Sequence, residues 1–255
     1  MFNDFKAAAL AWRQWLEMSL TEVVMHYRRS ILGPFWLVLN NLVMIGALGM
    51  VYSFVFNMNV ENYMPFLAVG LVAWNFLSSF VTGGAGTFIQ HASVLKNVNL
   101  PLPFYSFKVV CRLVINFAHD VFVLLPVMLI FPQQASLTMF LAIPALILYI
   151  INGVALSILL GMLCSRFRDM QNVISNFMQI MFFFTPIFWP ASNVSKPLIY
   201  EANIFYHYIE IVRAPFLGQI PTLTNWLVVG GVTLVLWVAA IVVYYRYRWR
   251  VVHTI

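Results

Sequence analysis

The chain has 255 residues, 62% of them apolar and only 9% charged, with a formal net charge of +6. A water-soluble domain carries about 25% charged residues, so this composition excludes a folded soluble domain of useful size. The basic residues sit at the ends of apolar runs, where they anchor to lipid headgroups, rather than in one interleaved patch, which excludes a nucleic-acid partner.

In chain order, the spacing first predicts an amphipathic helix over residues 5–29. Phe5, Ala9, Trp12, Leu16, Val23 and Tyr27 share one face, and Lys6, Arg13, Glu17, Thr21 and Arg28 the other. Such a helix lies flat in the membrane interface, as a passive anchor or as a docking surface; the spacing favours neither. No cleavable leader is expected, because the first long apolar run begins only after Pro34. Leu32-Gly33-Pro34 then redirects the chain, since Gly permits a turn and Pro starts a new helix well.

Six runs follow, at roughly 35–57, 65–89, 107–131, 137–163, 171–189 and 225–245. Each supplies about 20 mostly apolar residues, enough for a helix to cross a ~30 Å hydrocarbon core. The first carries Asn40 and Asn41. The inner half of the second holds Gly83, Gly84 and Gly86, which suit close helix approach or local unwinding. Between the second and third, His91 to Tyr105 has room for one or two helical turns at Ala92–Lys96 before Pro101 and Pro103 stop them. That segment is a contact for a peripheral partner or a plain connecting loop. The third run buries His119 and Asp120. An ionisable pair at that depth must face protein or a wet cavity, as a proton relay or, with the better claim, as polar glue to Asn116 or Asn152. The fifth shows an amide stripe of Asn172, Asn176 and Gln179. Residues 190–222 are broken by Pro190, Pro197, Pro215, Gly218 and Pro221 and fit two short re-entrant or surface helices.

Twelve of the Lys and Arg residues fall on one side of this arrangement, and only Lys196 and Arg213 on the other. The positive-inside rule puts both termini in the cytoplasm. Cys111 and Cys164 then lie near the reducing side and read as small core residues, not a disulfide. No phosphate loop, HExxH or nucleophile triad motif is present. With only Asp120 deep in a span, the chain has no engine of its own. The reading is an all-α membrane protein, one domain over 1–255, with an interfacial helix, six spans and outer helices, no catalytic residue, and neither metal nor cofactor.

Several segments in order resemble the membrane subunit of ABC-2-type exporters, particularly those moving lipid-linked polysaccharides such as O-antigen, capsule or teichoic acid. They are Tyr27-Arg28-Arg29-Ser30-Ile31-Leu32-Gly33-Pro34-Phe35-Trp36, Val94-Leu95-Lys96 with Pro101 and Pro103, Phe184-Thr185-Pro186-Ile187-Phe188, Asn203-Ile204-Phe205-Tyr206-His207, Glu210, and Arg213-Ala214-Pro215-Phe216-Leu217-Gly218. Ile204 departs from the Pro common at that position.

The resemblance implies a homodimer with a channel at its interface. It also implies two copies of a separate ATPase subunit carrying ATP and Mg, and an undecaprenyl-linked polysaccharide cargo in a bacterial inner membrane. Arg13, Glu17, His91, Ser93 and Lys96 would meet the ATPase. Arg28, Arg29, Leu32, Gly33 and Pro34 would flank the cytoplasmic entrance, and Tyr206, His207, Glu210 and Arg213 would form an outer gate. A hydrated glycan with apolar C–H faces wants aromatic rings and neutral hydrogen-bonding groups. Tyr52, Phe56, Trp74, Phe183 and Trp189, with Asn172, Asn176 and Gln179, are therefore expected to line its path. Most other aromatics belong to interfacial belts. Two other readings stand beside this one: an ABC-2 permease for a drug or simple lipid, and a membrane glycosyl- or acyltransferase built on His207 and Glu210.

Overall fold

The computed structural model of the chain describes residues 2–55, 58–98, 100–131, 137–193, 195–196 and 198–254, and the secondary structure among them is helical. The elements are α1 (Phe2–Leu10), α2 (Trp12–His26), α3 (Phe35–Val55), α4 (Val60–Ala85), α5 (Thr87–Gln90), α6 (Ala92–Asn97), α7 (Leu102–Asp120), α8 (Leu124–Ile130), α9 (Ala142–Arg166), α10 (Met170–Phe184), α11 (Leu198–Glu201), α12 (Ile204–Phe216) and α13 (Leu223–Thr254). Five stretches are long and apolar enough to cross a membrane: Phe35–Val55, Val60–Ala85, Leu102–Ile130, Leu137–Arg166 and Leu223–Val251. The expected fifth run, 171–189, is helical only to Phe184, a 15-residue helix of about 22 Å.

α4 is the axis of the fold. In its most apolar stretch 72% of residues are buried, against 11% in α13, so α4 is enclosed by protein while α13 turns most of its surface outward. A helix apolar all round belongs inside, and α3, α7, α9, α10 and α12 pack around it. The closest approach is to α9. Gly153, Ser157 and Gly161 recur every four residues and so form one stripe on α9. A Cβ on Gly153 would lie 2.4 Å from the Phe80 ring, and one on Gly161 2.9 Å from Phe88. One on Gly84 would lie 3.1 Å from the Ser157 backbone. Large and small residues thus interlock along the crossing, as small-residue stripes allow, and Thr87 Oγ1 meets Ser157 Oγ at 3.0 Å.

The N-terminal helix differs from the expected single amphipathic rod. It breaks at Ala11, which rotates the buried face: Ala8, Ser19 and Val23 are buried with Phe5 and Trp15 half-buried, while Ala9 and Trp12 face out. α1 is tied to the last turns of α13, where Tyr244 Oη and Arg248 Nη1 donate to Asp4 Oδ2 at 2.8 and 3.0 Å. Pro101 and Pro103 do not merely stop a helix. They open α7, which starts five residues before the expected span, with Pro101 as its N-cap, where a missing N–H costs nothing. Pro126 has no N–H to offer the Phe122 carbonyl, and the chain tightens into a 3₁₀ turn at Val121–Val123 between α7 and α8.

Overpacking the α4–α9 seam is the clearest stability test. Gly153→Val should destabilise the fold by about 1–3 kcal/mol, read as a lower melting temperature in detergent. Gly230→Val, where an added Cβ meets nothing within 4 Å, should change it far less.

Candidate functional site

A groove of about 590 Å³ runs between α3, α4 and α10. Its polar lining is Asn40, Asn41, Asn75, Ser78, Thr82, Ser175 and Gln179, beside the rings of Trp74, Phe182 and Phe183. Asn75 Nδ2 donates to Asn41 Oδ1 at 2.9 Å, and Asn41 Nδ2 donates to Asp120 Oδ1 at 3.1 Å. The Asp120 carboxylate is therefore glue, joined to Asn41 and not to Asn116 or Asn152. Asn152 instead donates to Tyr208 Oη and Thr233 Oγ1 at 2.7 and 2.9 Å. His119 bonds locally, through Nδ1 to the Ile115 carbonyl at 2.8 Å. The groove thus presents neutral donors and acceptors held in register by one carboxylate behind them.

Of the expected lining, Trp74, Gln179 and Phe183 come together here. Trp74 packs between Phe182 and Phe205, with ring centroids 5.8 and 5.7 Å away. Asn172 and Asn176 lie exposed on α10, outside the groove. Tyr52 packs on Phe188 at 5.1 Å, and Trp189 Nε1 donates to the Phe183 carbonyl at 3.2 Å. Phe56 lies outside the described residues. Asn75, Ser78, Thr82 and Ser175 escaped the sequence reading. The signal was present: Asn75, Ser78 and Thr82 stand at helical spacing on the face of the second run that carries Trp74.

The proposed outer gate is a latch in this structure. After α10 the backbone leaves helical geometry, yet Thr185, Pro186, Ile187 and Pro190 are buried. Unpaired carbonyls there would be costly, and side chains take them. Arg213 Nη1 donates to the Pro186 carbonyl at 2.7 Å, Tyr63 Oη donates to that of Phe188, and Asn203 Nδ2 reaches Thr185 Oγ1 at 2.9 Å. Arg213, 1% exposed, also pairs with Glu210 and stands 4.0 Å over the Phe66 ring. His207 is buried between Asn225 Oδ1 and the Glu201 carbonyl, at 2.7 and 2.8 Å. His207 and Glu210 thus serve different partners and do not form a pair. Tyr206 stays half-buried, against Tyr200. Asn203 caps α12 by accepting from Phe205 N–H at 3.0 Å. Ile204 occupies the first helical position, which Pro also suits, so the departure there leaves the cap intact.

At the other end, Gly33 takes φ +57°, and its N–H donates to Ser30 Oγ at 3.1 Å. Arg28 and Arg29 are exposed and line a shallow pocket with Met25 and His26. Leu32 is exposed and Pro34 half-buried.

Residues 8–217 match the family profile described as ABC-2 type transporter. The chain belongs to that family. It is similar to the O-antigen export system permease protein RfbA of Myxococcus xanthus, 27% identical over 173 residues, 68% of this chain and 66% of that relative. Two proteins of the same name from Klebsiella pneumoniae are 24% and 25% identical over 176 residues, 69% of this chain and 68% of each relative. The chain therefore spans about two thirds of the length of these relatives. Membership in an ABC-2 transporter family groups the chain with transporters.

One feature of this ABC-2 chain lay outside the sequence reading. Glu22 of α2 pairs with Lys108 Nζ at 2.7 Å and Arg112 Nη1 at 2.5 Å on α7. Ser19 Oγ donates to the Lys108 carbonyl at 2.8 Å. Lys108 Nζ also reaches His91 Nε2 at 2.6 Å. An ammonium can only donate, so Nε2 accepts and Nδ1 carries the proton, given to the Thr87 carbonyl at 2.7 Å. Burial, with the Lys108 and Arg112 charges added, holds the imidazole below its ordinary pKa. Burial alone would raise the Glu22 carboxyl, but the Lys108 ammonium and the Arg112 guanidinium outweigh it and hold it low. His91 is thus a buried brace, 5% exposed, and not a surface residue like Arg13, Glu17, Ser93 and Lys96.

Two predictions follow from these networks. Arg213→Gln leaves the half-buried Glu210 carboxylate without its cation and the buried Pro186 carbonyl without its donor and should cost about 2–4 kcal/mol, seen as a lowered melting transition; an unaltered melt would show that the latch does not hold the fold. A buried neutral His91 stabilises fully above the ordinary imidazole pKa of ~6.5. That contribution is lost as pH falls through the depressed folded value. Melting temperature should drop on acidification from pH 7.5 to 5.5, and His91→Gln should flatten the slope.

Proposed function

We propose that this chain is the membrane subunit of an ATP-driven exporter of lipid-linked polysaccharide, O-antigen or a related surface glycan, in the bacterial inner membrane. The observation that carries the reading is the groove between α3, α4 and α10. Neutral amides and hydroxyls stand beside aromatic faces, and no charged side chain is among the described residues lining it. Sugars need that chemistry: amides and hydroxyls for their own hydroxyls, rings for their C–H faces. The similar permeases carry O-antigen export in their names.

In this reading two copies pair and close the groove into a conduit. Exposed apolar side chains beside the groove, Val43 and Met50 on α3 and Val173 and Ile180 on α10, suit such a seam. Parity supports six crossings. The Asp4–Arg248 pair brings the two ends of the chain together, as an even number of crossings would. The final turns of α9 and α13 also lie side by side, which suits a return of the chain between them. α10 with the buried segment after it makes that return, and α11 and α12 dip back from the far side as the outer gate, with Tyr206 in it and the Arg213 latch behind it. The positive-inside rule then assigns both termini to the cytoplasm.

Nucleotide and magnesium belong to a separate ATPase, in two copies. Arg13, Glu17, Ser93 and Lys96 are the exposed contacts offered to it, with His91 bracing them from behind through Lys108 and Glu22. The Gly33 turn flanks the cargo entrance between Arg28, Arg29, Leu32 and Pro34. The cargo rides on an undecaprenyl carrier. A drug or simple-lipid cargo is the competing reading.

A strain lacking the chain should accumulate lipid-linked glycan on the cytoplasmic side, and the wild-type chain should clear it. Ser78→Trp, which fills the groove, should fail to. Gly33→Val should also fail, because a β-branched residue at positive φ is strained by about 1–3 kcal/mol, whereas Gly33→Asn should work. Normal surface glycan in the deletion strain would sink the reading.

A further inference from the structure

We propose that the groove between α3, α4 and α10 is polarised to accept hydrogen bonds, and that Asp120 behind it is the positioning residue that sets the polarity. Its cargo is then a neutral, hydroxyl-rich glycan and not one with a carboxylate or phosphate in its repeats, which narrows the export reading on which the proposal rests.

The polarity starts at a carboxylate. An ionised Asp120, at the end of α7, can only accept, so Asn41 of α3 turns its amide nitrogen to it, at 3.1 Å. Asn41 Oδ1 then faces the other way, where it accepts from Asn75 Nδ2 of α4 at 2.9 Å. An amide donates from one side and accepts on the other. Asn75 therefore turns its nitrogen toward Asn41 and leaves Oδ1 for the groove, which it lines. Three helices thus pass one fixed orientation from a group outside the lining to a group within it. Reversing a single amide would set two oxygens, or two N–H groups, against each other, and unmatched polar groups of that kind are costly.

Thr82 repeats the pattern further along α4. Asn75, Ser78 and Thr82 share one face at helical spacing and all line the groove. Thr82 Oγ1 gives its proton to the Ser78 carbonyl at 2.9 Å, so lone pairs are what it offers. About 10 Å of α4 therefore carries an acceptor at each end. Asn40, Ser78, Ser175 and Gln179 can donate as well as accept, and no cation stands among the described residues of the lining.

Sugar hydroxyls donate and meet these oxygens directly. A uronic acid or a phosphodiester brings oxygens that only accept. Such an anion would give up its hydration opposite Asn75 Oδ1 and Thr82 Oγ1, with neutral donors alone in compensation. Polar groups left unmatched by the wrong partner are an effective means of discrimination. The mismatch recurs at every repeat of an acidic polymer, but arises only once at the group through which a carrier is attached.

The test uses a strain lacking the chain, complemented with wild type or variants. It is supplied with the same lipid-linked polymer in two forms, one of neutral hexoses only and one with glucuronic acid replacing a hexose in each repeat. The ratio of surface to cytoplasmic glycan is measured for each. The wild-type chain should export the neutral form at least about fivefold better. Asp120→Asn keeps the shape but can donate, which frees the relay to reverse, and should shrink the preference to below about twofold. The Asn41→Asp/Asp120→Asn double variant again sets an acceptor-only group against Asn75 and should restore it. Thr82→Val removes an acceptor with Asp120 in place and should reduce the preference without lowering the melting temperature of the purified chain. Equal export of the two forms by the wild-type chain overturns the proposal, as does a Thr82→Val chain with the preference unchanged. It is also overturned if Asp120→Asn lowers export of both forms alike with the preference intact, the mark of a merely structural residue. Export of neither form by the wild-type chain overturns the export reading itself, so the two failures are distinct.

Discussion

A carbonyl without a donor is expensive wherever water is scarce, and the chain leaves helical geometry inside its own packed interior. From Thr185 to Pro190 the backbone satisfies itself only in part, through Thr185 N–H to the Met181 carbonyl and Ile187 N–H to that of Thr185, and the elements around it are arranged to meet the remaining deficit. Arg213 of α12, Tyr63 of α4 and Asn203 at the start of α12 each reach into the segment. To do so, α12 must lie against α4, and its own position is secured by Tyr149 and Asn152 of α9, which bond the Tyr208 carbonyl and hydroxyl. One irregular stretch thereby ties four helices together. The buried guanidinium is tolerable because it has a carboxylate, a carbonyl and an aromatic face at once.

The end of the molecule that carries α1 and α2 obeys a different rule. There the joints are ionic and link elements distant in sequence: Glu22 to Lys108 and Arg112, Asp4 to Arg248. α2 is thus bolted to α7 and, through His91, to the short helices after α4. Between the Arg213 latch and these ionic joints lies the α4–α9 seam, where glycines let two helices touch backbone to side chain. Its stiffness leaves α3 and α10 as the walls on the other side of α4, and the polar groove opens between them.

Much of this was legible in advance, for specific reasons. Long apolar runs marked the five stretches long and apolar enough to cross a membrane. Gly33 and Pro34 marked a turn because few residues accept positive φ. The motifs around Thr185–Pro186, Asn203 and Arg213 were visible as words, but their grammar was not. They belong together because they close one hydrogen-bond circuit, and no periodicity links residue 186 to residue 213. Of the amide stripe on α10, Gln179 lines the groove; Asn172 precedes the stretch from Ser175 to Phe183 that borders it, and Asn176, within that stretch, is exposed and not part of the lining.

By itself, then, the sequence determined that the chain lives in a membrane, that it is helical, where most crossings lie and which residues are too polar to face lipid. Those are consequences of one-dimensional quantities: apolar run length, charge count and local backbone preference. Tertiary structure decided which polar groups meet. It made His91 and His207 braces instead of surface groups, and joined Asp120 to Asn41 rather than to Asn116. It also assembled the groove from three helices. Pairing of that kind depends on how helices cross, and crossing geometry is set by side-chain shape at contacts far apart in the chain.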